Sequence, residues 1–126
     1  GNKMIIIGDN LIPFEEIFNV KLIEDIRNTK ANSTVLFFFD ESLTKYCYEN
    51  ELSFAVIVSS IKEAIYSNSL GAKYIISSKQ LAKKLQKIAD NYMYDSKILA
   101  IISTNDEFEE VAKNEVDGAI YQNLIK

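Results

Sequence analysis

The chain has 126 residues, 48% apolar and 25% charged, which makes one domain with a real core and excludes a disordered chain. It has no His and a single Cys, which removes Ser-His-Asp and Cys-His catalysis, the usual zinc and iron sites, and an intramolecular disulfide. A net charge of −4 gives nothing overall for a nucleic-acid backbone or an anionic membrane.

Taken in order, "GNKMIIIGDN" opens on Gly1 rather than Met, the mark of a cloning remnant. Its apolar run lacks the length and cleavage pattern of a signal peptide. "MIII" (4 to 7) reads as a strand that ends at Asp9 and Asn10. In "NLIPFEEIFNV", Pro13 ahead of Glu15 and Glu16 marks a helix start, whereas "EIFNV" alternates like a short strand. The strand reading is preferred. A helix over 22 to 29 follows, then the strand "VLFFF" (35 to 39), which ends on Asp40, a fitting cap for a helix over 41 to 50. Cys47 lies at helical spacing from Leu43 and reads as a buried structural thiol, suited to a reducing, cytoplasmic compartment.

The strand "FAVIV" (54 to 58) ends in Ser59 and Ser60, and Ser60-x-x-Glu63 is a capping box for a helix over 61 to 70. Such a cap contributes about 0.5–2 kcal/mol. Gly71 closes that helix and "KYIIS" (73 to 77) follows, with Ser77-x-x-Gln80 as a second box. The helix over 79 to 94 puts Leu81, Leu85, Ile88, Ala89 and Tyr92 on a core face, opposite Lys79, Lys83 and Lys87. No aromatics interleave with that lysine stripe, so it reads as a solvated face rather than a nucleic-acid site. "ILAII" (98 to 102) ends in Ser103 and Thr104, and Thr104-x-x-Glu107 caps an acidic helix over 106 to 114 whose charges can pair with the neighbouring lysines. "GAIY" (118 to 121) is the last strand. No apolar run exceeds five residues, too short for a bilayer.

Most strands are apolar on successive residues, as strands covered on both faces should be, and they alternate with helices. The expected fold is therefore α/β: a single domain over 1 to 126, with a mostly parallel sheet and helices on both faces, flavodoxin-like or half-barrel-like. A weak repeat at an offset of 44 residues sets "VSSIKEA" against "ISTNDEF" and "AKYII" against "VDGAI". Two βαβ units obeying the same physics account for it.

Residues 35 to 78 resemble the second half of a receiver domain. Asp40 stands where receivers hold the phosphoacceptor, Asp9 where the metal-binding acids lie, and Ser59 where the switch hydroxyl lies; "GAKY" matches their GA-x-x-Y phrase. Here, however, Gly8 and Asn10 flank a single acid, and Ser77 and Ser78 replace the Lys-Pro of receivers. The resemblance implies a fold, not phosphotransfer. About the last 70 residues are similar to successive units of phosphate-binding (β/α)8 barrels, of which this chain would form half. With glycine only at 1, 8, 71 and 118 there is no G-x-G-x-x-G and no P-loop, and no cofactor is implied.

The strand ends should gather Asp9, Asn10, Asp40, Ser59, Ser60, Ser77, Ser103 and Thr104 at one edge, in a crevice where strand order reverses. Hydroxyls and helix N-termini there suit a small anionic or polar ligand. The expected function is a non-catalytic binding or regulatory domain, with room for a protein partner or a second copy. The alternatives are an enzyme or enzyme subunit working through Asp9 and Asp40, and a degenerate receiver-like domain.

Overall fold

Short apolar runs bounded by caps and turns form the strands, and the capped amphipathic stretches between them form the helices. The computed structural model describes residues 3–126; Gly1, read as a cloning remnant, lies outside them. The elements in order are β1 (Ile5–Ile7), β2 (Ile17–Asn19), α1 (Ile23–Ile26), β3 (Thr34–Phe38), α2 (Glu41–Glu49), β4 (Phe54–Ile57), α3 (Ile61–Ser69), β5 (Tyr74–Ser77), α4 (Lys79–Asn91), β6 (Lys97–Ile102), α5 (Phe108–Lys113) and β7 (Gly118–Tyr121). Short 3-10 turns at Asn105–Glu107 and Gln122–Leu124 precede α5 and follow β7. The ambiguous segment before residue 20 is a strand, β2. Among the described residues, no helix is long and apolar enough to cross a membrane.

All seven strands are parallel, in the order β1-β7-β6-β5-β4-β3-β2. That order is cyclic, with each strand beside its sequence neighbour except that β1 and β2 form the two edges. It is the half-barrel connectivity rather than the doubly wound one, whose order reverses partway. The expected strand-order reversal is therefore absent. Seven strands fit into 126 residues because the connections are short.

The sheet curls strongly. Asn19 at the end of β2 donates from Nδ2 to the carbonyl of Leu124 just after β7 (2.8 Å). In a flat sheet, strands five places apart would be roughly 24 Å from each other. At the opposite end, Glu15 ahead of β2 accepts from the Tyr74 hydroxyl on β5 (2.6 Å) and from Lys73 Nζ (2.9 Å). The curl thus brings the β2 edge to strands three and five places away.

The helices were expected on both faces, and here the structure differs. Ile26, Leu43, Cys47, Ala64, Leu85 and Val111, drawn from all five helices, pack in one cluster with Val35, Phe37, Phe54, Val56, Ile75, Ile98 and Ala119 of the sheet. The inner cluster is Ile7, Leu36, Ala55, Tyr74, Ile76, Leu99 and Ile120, with no helical residue. Right-handed crossovers that all step in the same direction leave every helix on the same side. The strands are still apolar on both faces because the curl makes the inner face its own core. Tyr92 is a second difference. It is 73% exposed, because α4 stops at Asn91 and Met93 turns to φ 52°, which lets Tyr94 pack against the core instead.

Gly118 marks the closest approach of β1 and β7, since a Cβ there would strike the backbone oxygen of Ile5 and come within 2.6 Å of its Cβ. Gly118→Ala should therefore cost about 1–3 kcal/mol as an overpacking change. Urea unfolding measures it, and an unchanged midpoint would mean that β1 does not sit against β7 as described.

Candidate functional site

The expected site residues do lie at strand ends, but most are committed to local bonds. Asp40 caps α2 by accepting from the Leu43 amide (2.9 Å). Ser60 caps α3, accepting from the Glu63 amide (3.2 Å), while Glu63 accepts from the Ser59 amide (2.8 Å) and hydroxyl (3.2 Å). One repeat later, Glu107 accepts from the Ser103 amide (2.6 Å) and the Thr104 amide (3.0 Å). The 44-residue repeat is this shared turn, in which an acid reaches back to the chain ahead of its helix. The second capping box shifts by one residue: Ser78, not Ser77, caps α4 through the Leu81 amide (3.2 Å). Ser77 is fully buried, and its hydroxyl donates to the Ser78 carbonyl (3.1 Å). Asn10 is exposed.

Asp9 accepts from the Tyr121 hydroxyl (2.6 Å) and the Leu11 amide (2.8 Å). The tyrosine bond, then the amide, hold its carboxyl below the usual range, and the same contact pushes Tyr121 up to about 12. Asp9 and Asp40 thus serve different partners. Among the described residues, no group of three or more His, Cys, Asp or Glu side chains is placed to hold a metal ion.

A cleft of about 790 Å³ opens at the C-terminal ends of β2, β3 and β4. Leu36, Phe38, Ile57 and Ile125 give it an apolar lining, and Asn19, Lys21, Asp25, Asp40 and Lys126 give it a polar rim. Of the expected residues only Asp40 lines it. The register explains the exposed aromatic: Asn19 pairs with Leu36, so β3 outruns β2 and leaves Phe38, an inward position, 55% exposed. Asp25 accepts from the Lys21 and Leu22 amides (2.9 Å each), which hold its carboxyl below the usual range.

Sequence reasoning missed Lys21, Phe38 and Lys126. The inward alternation Leu36–Phe38 was available in "VLFFF", but the lysines come from segments brought together only by the curl. Cys47 is fully buried, and that burial pushes its thiol up to about 11, as a structural role requires. No protein-family model matches the chain, and no curated protein matches it.

Charge pairing between the last two helices takes a definite form. Lys79 of α4 meets Glu107 (2.6 Å) and Glu110 (3.1 Å). The Lys79 ammonium, with the Thr104 and Ser103 amides, brings the Glu107 carboxyl from 4.5 to about 2. A depressed carboxyl stabilises the fold above its unfolded pKa, and that stability is lost as pH falls from about 4.5 to about 2. Glu107→Gln should therefore flatten this part of the stability–pH profile. An acid limb identical to that of the parent protein would contradict the pairing.

Proposed function

We propose that this protein is a non-catalytic binding domain that takes a small anion with an apolar body in the cleft above β2, β3 and β4. The observation that carries this reading is the make-up of the cleft: a half-exposed Phe38 beside two lysines, Lys21 and Lys126, neither with an ion-pair partner among the described residues. The hydroxyls of Ser59, Ser60, Ser77 and Ser103 are engaged in local bonds, and none of them lines the cleft. An ammonium gives attraction without the bidentate geometry of arginine, so recognition of the anionic group is loose and the apolar body supplies selectivity. The alternative, an enzyme working through Asp9 and Asp40, is not favoured, because Asp40 lines the cleft and Asp9 does not; the second carboxylate there is Asp25. Both carboxylates already accept backbone amides at helix starts, which favours a structural role for them.

Titration with phenyl phosphate and with inorganic phosphate, followed by NMR, tests the reading. Burying roughly 60 Å² of the ring at about 25 cal/mol/Å² is worth ~1.5 kcal/mol, so phenyl phosphate should bind about tenfold tighter. Shifts should centre on Lys21, Phe38 and Ile57, and Lys21→Ala should weaken both ligands. Equal affinities, or shifts confined to Lys83, Lys84 and Lys87 on α4, would refute it.

A further inference from the structure

After β7 the chain makes its last 3-10 turn at Gln122–Leu124 and runs on to Lys126 across the C-terminal mouth of the curled sheet. Three features seat this strap. The Asn19 side-chain amide grips its backbone in both directions, donating to the Leu124 carbonyl (2.8 Å) and accepting from the Lys126 amide (2.9 Å). Leu124 lies against Gly8, where an added Cβ would come within 2.8 Å of Leu124 Cδ1, and Gly8 holds φ +104°. Leu124 and Ile125 also pack on the inner core cluster. Beyond the seat, Ile125 and Lys126 form part of the wall of the cleft.

Outside its own turn, the backbone bonds of the strap run to a single side chain, Asn19, which is exposed, and the Ser103 hydroxyl donates to the Gln122 side chain (3.3 Å). Backbone bonds exposed to solvent open locally at lower free energy than those of the core strands. A segment that both opens easily and supplies a wall of the cleft couples ligand binding to its own docking.

Building on the binding reading above, we propose that residues 122–126 are a lid, docked by Asn19 and Leu124, that completes the cleft and closes over the bound anion. Ligand and docked lid then stabilise each other by the same factor, because coupling between two equilibria is reciprocal. With the lid open, Lys126 and Ile125 leave the cleft, and both affinity and residence time fall.

Hydrogen exchange at the Lys126 amide reads the lid directly, because that amide is bonded to Asn19. Phenyl phosphate should slow its exchange about fivefold or more in the parent protein. Leu124 does not line the cleft, so Leu124→Ala loosens the lid without removing a ligand contact. That variant should exchange faster at Lys126 and bind phenyl phosphate about fivefold more weakly, and Asn19→Ala, which also removes a rim residue of the cleft, should weaken binding at least as much. Faster exchange at Lys126 with unchanged affinity in Leu124→Ala would overturn the lid while leaving the cleft as the site. Tighter binding in either variant would also overturn it, because the strap would then be a blocker. Absence of any phenyl phosphate shift at Phe38 and Ile57 in the parent protein would remove the binding reading and the lid with it.

Discussion

The edges β1 and β2 share no hydrogen-bond ladder, and side chains rather than a ladder hold the curl at its two ends. At the C-terminal rim, Leu124 bridges the two edges, packing on Gly8 beyond β1 and accepting through its carbonyl from Asn19 at the end of β2. At the other end Glu15 ties the approach to β2 to Lys73 and Tyr74 and accepts from the Thr34 hydroxyl (3.2 Å). Burial alone would raise the Glu15 carboxyl, yet the bonds from Tyr74, Lys73 and Thr34 outweigh it and hold the group below the ordinary range, ionised and paired. Burial, then Glu15, pushes the Tyr74 hydroxyl upward, so it remains a donor. These two contacts fasten the rims of the curl, while the inner cluster packs on itself within it. If the curl relaxed, the inward residues of seven strands would face water, because no helix covers them.

The same constraint places the cleft. One-way right-handed crossovers put every helix outside and every strand end on one rim. At that rim β3 runs past the shorter β2, so Phe38 stands beside Asn19 and the residues that follow it. The strap from β7 crosses to the same point. The candidate cleft therefore lies where the curl is held by side chains and a strap rather than by a ladder.

Much of the fold is legible in the sequence. "FAVIV", "ILAII" and "GAIY" show their strands through apolar runs bounded by polar residues. Asp40, Ser60 and Thr104 show helix starts through their spacing to the amides or acids they meet, and Gly71, at φ +86°, shows a helix end. These are local signals, set within a few residues. Helix placement was not legible, because a strand apolar on both faces looks the same under two helix layers as inside a curl. Of the site, Asp40 alone was legible among the cleft residues. Lys126 joins Lys21 and Phe38 through contacts more than a hundred residues apart in the chain, such as Asn19 to Leu124, and no short-range pattern encodes that meeting.

Nuclear Overhauser contacts between the Asn19 side-chain amide and residues 124–126 test the closed curl most directly. A closed curl gives strong contacts from the Asn19 Nδ2 protons to Leu124 and Ile125, together with contacts between Glu15 and the Tyr74 ring. A sheet that stayed open would hold β2 and β7 roughly 24 Å apart, far beyond the reach of that effect. Absence of both sets of contacts, with the ladder contacts between neighbouring strands intact, would contradict the account.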